Sequence, residues 1–400
     1  MRPIVNALLA LAFFLVPPLL AQTYLTDVPD YEWHAGCLGT ACGNVMGYWD
    51  RHGLPDLYTG PTAGGVAPLD TYGNNVGIES MWASKAGFNG RPANKPGHID
   101  DYWNYYISDA GNNFSYESTQ ADPYILAGRA EHAPDCLADF MGLSQKKWTN
   151  MNNECDGNID GYGFVYWDKT GAKRSNYTPP PQGKVPVRDV PSGLRDWTRY
   201  RGYDADVFTQ LAAGINPECP AGKGFTFDDL KAEIDAGYPV LIFLQTTNQY
   251  SRALGGMARA NPDIHGMLAY GYEASLHWVY VRTSWASGIA YYTWEAQPWF
   301  DWRPYEDVVL AVRGVIGFHP RPKIKSATRE GANLRLVWEG PASQLYDGAS
   351  GATTSASRYQ VEQSPSLAPS QFNPVGPVTT GLTLAVPASP GFYRVKLLPP

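Results

Sequence analysis

The chain has no concentration of basic residues. Lysine and arginine number 31 against 38 aspartates and glutamates, which gives a formal net charge of −7 in 400 residues. Proteins that bind nucleic acids normally present a cationic patch or stripe, because phosphate contacts dominate their affinity. The composition therefore argues against a nucleic-acid partner.

Long apolar runs are also lacking, apart from one at the N-terminus. That run extends from Ala7 to Leu20 after Met1-Arg2, and the small residue Ala21 follows it. Pro17 interrupts it, and it falls short of the ~20 residues that a bilayer requires. We therefore expect residues 1–21 to be a cleaved secretory signal, the protein to be secreted, and the mature form to have no membrane contact. An uncleaved N-terminal anchor is the alternative.

Cysteine is scarce, and the number is odd. There are five, Cys37, Cys42, Cys136, Cys155 and Cys219. An oxidising compartment would pair four of them and leave one thiol. Cys37 and Cys42 cannot easily bridge on one regular helix, because their Cα atoms would lie beyond the ~7 Å limit for a disulfide. The expected pairs are therefore Cys136 with Cys155 and Cys42 with Cys219, and Cys37 is the remaining thiol.

Cys37 opens a segment that has the pattern of a helix. Gly53 is placed to end it, and one buried stripe is formed by Ala41, Val45, Met46 and Trp49. In the first turn of a helix, the positive end of the macrodipole favours the thiolate, which is the attacking species. The pattern indicates a nucleophile, and a buried structural cysteine is the alternative interpretation.

A candidate base lies far downstream. His265 stands at the start of a predicted strand in the segment 264–273, after a predicted helix that Thr226 caps and Gly237 ends. A cysteine on an early helix and a histidine on a late strand are typical of a nucleophile and its base. Without further support, His265 could also be a half-buried strand histidine.

Short motifs surround these two residues. In chain order they are Val28-Pro29, Trp33 to Gly36-Cys37, Thr40-Ala41, Gly47-Tyr48-Trp49-Asp50 with Arg51-His52-Gly53, Ile234-Asp235-Ala236-Gly237 with Pro239-Val240, and His265-Gly266 with Gly271-Tyr272. With them the chain resembles the papain-clan cysteine peptidases, specifically the secreted relatives of the bacteriocin-leader peptidases that cleave after double glycine. The resemblance extends over residues 25–317 and is patchy between residues 58 and 225. It implies that Cys37 is the nucleophile and His265 its general base.

Two positions depart from that family's pattern. The family has a glutamine before the cysteine that helps to bind the oxyanion, whereas this chain has Tyr31-Glu32-Trp33-His34 there. The family also has an aspartate or asparagine that orients the histidine, whereas this chain has Thr283. A hydroxyl can accept the Nδ1–H bond but carries no charge to stabilise an imidazolium. We expect either that Thr283 fills the third catalytic role weakly or that another group fills it.

The segment Asp156-Gly157-Asn158-Ile159-Asp160-Gly161 resembles the first half of a calcium-binding loop. Asp156, Asn158 and Asp160 alternate as oxygen ligands, but position twelve of a full loop is Trp167, so the closing carboxylate is missing. A structural calcium at these three residues is one interpretation. A plain turn leading into a strand is the other.

The order of predicted elements suggests two domains. Residues 22–318 would form an α+β, papain-like peptidase domain, since helices precede a run of short strands. Residues 319–322 (His-Pro-Arg-Pro) would form a linker. Residues 323–400 alternate apolar and polar residues in short segments, which predicts a small β-sandwich that resembles a fibronectin type III module through Trp338 and Tyr393.

The sequence therefore predicts a secreted cysteine peptidase that acts on a peptide or protein and requires no cofactor. His265 would take the proton of Cys37, the thiolate would attack a peptide carbonyl, and water would release the acyl group. Transfer to another acceptor would use the same pair. The alternative is a binding or adhesion protein on a catalytically impaired scaffold, which the two departures favour.

Overall fold

The structure, a computed structural model, describes residues 22–31, 36–58, 66–69, 137–141, 165, 167–178, 189–213, 219–246, 264–284, 290–295, 297–298 and 309–398. Several predicted features lie outside these residues, namely the signal at 1–21, Cys136, Cys155, and the candidate calcium ligands Asp156, Asn158 and Asp160.

The helices of the described residues are α1 (Gly36–Arg51), α2 (Leu137–Met141), α3 (Val190–Tyr200) and α4 (Phe227–Asp235). The strands before residue 321 are β1 (Gln22–Leu25), β2 (Arg174–Ser175), β3 (Ala205–Leu211), β4 (Val240–Thr246), β5 (Ile264–Glu273), β6 (Trp278–Arg282), β7 (Ala290–Thr293), β8 (Gln297–Pro298) and β9 (Val309–Pro320). The strands after it are β10 (Lys323–Glu330), β11 (Asn333–Glu339), β12 (Gln344–Asp347), β13 (Ala352–Ser355), β14 (Tyr359–Ser364), β15 (Asn373–Pro374), β16 (Thr383–Pro387) and β17 (Phe392–Leu397).

The predicted papain-like α+β fold class is wrong. Strands hold 43% of the described residues and helices 17%, and the sheets are antiparallel. The prediction gave too much weight to two well-marked helical segments near Cys37 and Thr226. Helix periodicity and caps are local signals, whereas strand pairing depends on residues far apart in the chain.

The largest sheet has eleven strands. Its main path runs β13-β12-β1-β5-β4-β9-β3-β2, with β6 added beside β5, β7 beside β6 and β8 beside β9. The central strands β4 and β5 are buried along almost their whole described length, as expected for strands covered on both faces. Helix α1 lies against β5.

Helix α1 is enclosed by the protein. Every residue from Leu38 to Asp50 is buried, so the helix has no solvent-facing side, contrary to the single stripe expected from the sequence. Gly43 and Gly47 stand one turn apart along it, and the ring of Tyr31 packs close to both. A helix covered on all sides belongs to the core.

The C-terminal strands form two further sheets. Their orders are β10-β11-β16 and β15-β14-β17, and they enclose a small core formed by Leu336, Trp338, Tyr359, Val361 and Val386. The hairpin β12–β13 leaves this region and pairs with β1, so that it extends the large sheet. The C-terminal region is therefore built partly into the sheet of the N-terminal region.

The predicted linker at residues 319–322 runs directly between two strands. Strand β9 continues to Pro320 and β10 starts at Lys323. Between them, the Arg321 N–H donates to the Asp204 carbonyl at 2.8 Å. Nearby, the N–H groups of Gly340 and Ala342 donate to the carbonyls of residues 53 and 52 at 3.0 and 2.9 Å. Main-chain hydrogen bonds thus join the two regions.

Among the described residues, no helix is both long and apolar enough to cross a membrane.

Candidate functional site

His265 is the second residue of β5 and is 2% exposed. It lies opposite Leu244 of β4. Its Nε2 is 2.7 Å from the main-chain oxygen of Thr283, which directly follows β6. The antiparallel pairing of β5 with β6 brings these two residues together although eighteen positions separate them in the sequence.

The partner at Nε2 fixes the tautomer of the neutral ring. A carbonyl oxygen can only accept a hydrogen bond, so Nε2 must carry the proton and donate it to Thr283. In the neutral imidazole the other nitrogen, Nδ1, then has the lone pair. Nδ1 is therefore the basic atom of His265.

Burial makes the charged form of His265 unfavourable. Desolvation lowers its pKa from 6.5 to about 4, and the hydrogen bond with Thr283 only partly opposes this change. A charged imidazolium loses hydration in the interior, whereas a neutral ring loses far less. The ring is therefore neutral at physiological pH, and burial opposes its protonation.

The contact with Thr283 differs from the expected one. The sequence predicted that the threonine hydroxyl would accept from Nδ1, whereas the main-chain carbonyl accepts from Nε2. The next residue, Ser284, is buried and has a φ of 67°, which L-residues rarely adopt. Such backbone strain persists only where the surroundings enforce it, and it often occurs near functional sites.

Cys37 lies in the first turn of α1, as predicted, at the second helical residue. Its side chain lies outside the described part of the structure. The contacts of the next residue, Leu38, show where the start of α1 lies. A Cβ atom placed on Gly266 would lie 3.0 Å from both Cα and Cβ of Leu38. Adding one carbon–carbon bond of about 1.5 Å, the Cα atoms of Gly266 and Leu38 are at most about 4.5 Å apart.

This close approach explains why glycine follows the histidine. Any larger side chain at position 266 would have to displace the main chain of α1 at Leu38. The residue before Leu38 is Cys37, and the residue before Gly266 is His265. The main chain at His265 therefore lies close to the main chain at Cys37, the two predicted catalytic residues.

The segment 28–31 joins both halves of this site. The N–H of Tyr31 donates to Oδ1 of Asn44 on α1 at 3.0 Å. On the other side, the Arg282 guanidinium donates to the Val28 carbonyl at 2.8 Å and lies 3.6 Å from the Asp30 carboxylate. Sequence reasoning missed Asp30, Asn44 and Arg282 because none of them stands in a recognised pattern. In the sequence, Tyr31 stands out only because it lies in the region where the family carries a glutamine.

Two of the cysteines can be placed. Cys42 is fully buried in α1, and Cys219 donates from Sγ to the Lys223 carbonyl at 3.3 Å. The expected bridge between them is not formed. Burial raises the pKa of the Cys219 thiol, so this thiol is poorly suited to act as a nucleophile.

The described ranges contain no group of three or more histidine, cysteine, aspartate or glutamate side chains that could hold a metal ion. The candidate calcium ligands Asp156, Asn158 and Asp160 lie outside those ranges.

Comparison with known proteins gives no family for this chain. No family model matches it, no curated protein matches it, and no solved structure matches it.

Proposed function

We propose that the chain is a cysteine peptidase in which Cys37 is the nucleophile and His265 the general base. The observation that carries the proposal is the contact of Gly266 with Leu38, because it brings the strand of His265 against the first turn of the helix that Cys37 opens. The proposal does not depend on a papain-like fold, since the same pair of groups occurs on unrelated folds.

The tautomer of neutral His265 suits this role. Nε2–H donates to a main-chain oxygen, so Nδ1 is the ring nitrogen that would take the thiol proton. The thiolate of Cys37 then attacks a peptide carbonyl carbon, and the carbonyl oxygen becomes an oxyanion. The Cys37 N–H at the start of α1 would supply part of the stabilisation of that oxyanion.

The remaining steps of hydrolysis use the proton that His265 took from Cys37. The Nδ1–H of the imidazolium protonates the leaving amine, and the C–N bond breaks to leave a thioester on Cys37. Neutral His265 next removes a proton from water, hydroxide adds to the thioester carbon, and the thiolate leaves. The acid product is released, and the proton returns to the sulfur.

The proposed substrate is a peptide or protein outside the cell, reached after removal of residues 1–21. We propose no required cofactor, no membrane contact of the mature form and no nucleic-acid partner. A structural calcium ion at Asp156, Asn158 and Asp160 stays a subsidiary proposal.

Substitution of the nucleophile tests the function. The variant Cys37→Ala should lose peptide hydrolysis completely while its circular dichroism spectrum stays that of the wild type. Cys219→Ala is the matched control, because it removes a thiol whose pKa is raised by burial, and it should keep wild-type turnover. Turnover retained by Cys37→Ala would end the proposal.

Alkylation by iodoacetamide gives an independent measure of the nucleophile. A low-pKa thiol reacts rapidly at neutral pH, and its blocking should abolish activity in proportion. An ordinary, slowly reacting Cys37 in a protein without turnover would favour the alternative of a binding or adhesion protein.

A further inference from the structure

Arg282 occupies the junction between the two halves of the candidate site. It is the last residue of β6, and Thr283, whose carbonyl accepts from His265, follows it directly. The guanidinium also lies over the ring of Tyr270, 4.7 Å from its centroid. The side chain is therefore held at the strand end by contacts in several directions.

Its polar partners belong to the segment that leads to Cys37. Nη2 donates to the Val28 carbonyl at 2.8 Å, and Nη1 lies 3.6 Å from Oδ2 of Asp30. The two charged side chains are 19% and 9% exposed. At this degree of burial, an ion pair is screened less by solvent than a surface pair is.

The same segment is fixed to α1 on its other side. Tyr31 is fully buried, its N–H donates to Asn44, and its hydroxyl donates to the Pro68 carbonyl at 2.9 Å. Residues 28–31 are thus held by Arg282 at one side and by Asn44 at the other. The cysteine helix and the strand end that orients the histidine are connected through four consecutive residues.

We propose that Arg282 is a positioning residue that couples the Cys37 helix to the Thr283 carbonyl through Val28 and Asp30. The inference rests on the proposed function, because it assigns Arg282 a role in that reaction. In this proposal Arg282 positions the reacting groups and takes no chemical part in the reaction. It fixes the relative placement of nucleophile and base, and a displacement of about 1 Å in such a placement can lower a rate about 100-fold.

The test compares Arg282→Gln and Asp30→Asn with a matched control. Arg321→Gln is suited to this purpose, because Arg321 also pairs with aspartates, Asp204 and Asp206, but on the exposed surface. Both site variants should lower kcat about 10- to 100-fold with a much smaller change in KM. The control should keep the wild-type kcat.

The double variant measures the coupling. If Arg282 acts through Asp30, then Arg282→Gln combined with Asp30→Asn should lose no more activity than the stronger single variant. If the fold-losses in kcat of the two single variants multiply in the double variant, Arg282 and Asp30 do not act together.

A second measurement does not depend on turnover. The Nε2–H of His265 is held by the Thr283 carbonyl, so its exchange with solvent, followed by nitrogen-15 NMR, should be slow in the wild type and clearly faster in Arg282→Gln. A residue that merely stabilised the fold would leave this signal unchanged in a folded variant. If Arg282→Gln fails to fold, the isosteric Asp30→Asn variant is used for the same comparison.

The outcomes separate the two claims. Absence of peptide hydrolysis in the wild-type protein would overturn the proposed function, and the imidazole signal would still decide whether Arg282 positions His265. Wild-type exchange and wild-type kcat in folded Arg282→Gln and Asp30→Asn would overturn the positioning role. A fall in kcat with unchanged imidazole exchange would also overturn it.

Discussion

Replacement of Gly47 by alanine tests how closely Tyr31 is held against α1. In a helix interior, exchange of glycine for alanine normally stabilises a protein by about 0.5–1 kcal/mol, because the unfolded chain loses conformational freedom. At Gly47, however, the new Cβ would lie 2.2 Å from the Tyr31 hydroxyl oxygen, 3.1 Å from Cζ of the same ring and 3.2 Å from Cγ of Pro29. The steric effect therefore opposes the propensity effect.

The structure indicates which effect is larger. Tyr31 is fully buried and donates to the Pro68 carbonyl, so the ring cannot move into solvent without loss of that hydrogen bond. Such a bond contributes about 1 kcal/mol, and overpacking of a well-packed site costs about 1–3 kcal/mol. We expect Gly47→Ala to lower the free energy of unfolding by about 1–3 kcal/mol.

Gly43 provides the matched control one turn earlier on the same helix. A Cβ there would lie 3.5 Å from Cδ2 of Tyr31, which is an ordinary van der Waals contact. Gly43→Ala should therefore keep the propensity gain of about 0.5–1 kcal/mol. The two variants differ in one methyl group at neighbouring positions and should change stability in opposite directions.

Urea unfolding followed by circular dichroism measures both changes. Adding Tyr31→Phe to Gly47→Ala removes the oxygen that lies nearest to the new Cβ, so the double variant should recover part of the lost stability and show a coupling free energy of about 1 kcal/mol. Equal stabilisation by both alanine variants would refute the reasoning, since it would mean that Tyr31 is free to move away from α1.

Two further predictions concern pH and the C-terminal region. Burial lowers the pKa of His265 from 6.5 to about 4. Between these two pH values the imidazole binds a proton in the unfolded chain but not in the folded chain. The free energy of unfolding should therefore fall by up to about 3 kcal/mol as the pH falls from 6.5 to 4. Urea unfolding of His265→Gln should show this part of the pH dependence removed, and equal slopes for the two proteins would contradict the low pKa. A fragment of residues 22–322 should fail to fold cooperatively in thermal scans, because β1 loses its partner β12; a wild-type melting temperature for the fragment would contradict this expectation.

Local features of the fold could be predicted from the sequence. The cap of α4 is confirmed, since Thr226 accepts from the Asp229 N–H at 3.1 Å and Asp229 accepts from the Thr226 N–H at 2.8 Å. Gly237 follows that helix with a φ of 92°, as its predicted stop requires. Both signals act within one helix turn, so residue types alone define them.

The arrangement of the sheet could not be predicted in the same way. Strand β1 lies between β5 and β12, yet these neighbours are more than two hundred and three hundred residues away in the sequence. A strand of four residues carries little periodicity of its own. Residue types at 22–25 therefore did not indicate a strand, and the assignment of 323–400 to a separate sandwich did not anticipate that β12 would pair outside it.

The orienting group of His265 was missed for a different reason. The family resemblance points to a side-chain oxygen at the position after β6, and the Thr283 hydroxyl provides one. The structure uses the main-chain oxygen of the same residue. Every residue type has this carbonyl, so no substitution pattern at 283 would have indicated it. What brings the two residues together is the pairing of β5 with β6, which only the folded chain defines.

The choice of a carbonyl over a carboxylate has a chemical consequence. A carboxylate beside the imidazole would favour the charged ring and raise its pKa, whereas the neutral carbonyl of Thr283 offsets only part of the desolvation that lowers it. The ring therefore starts neutral, and in the proposed reaction it becomes charged when it takes the Cys37 proton. The transition state of the proposed reaction then gains charge on Nδ1 of a buried ring, where the charge is poorly solvated. This is why a residue such as Arg282, which holds the carbonyl and the cysteine helix in one arrangement, would act on kcat more than on substrate affinity.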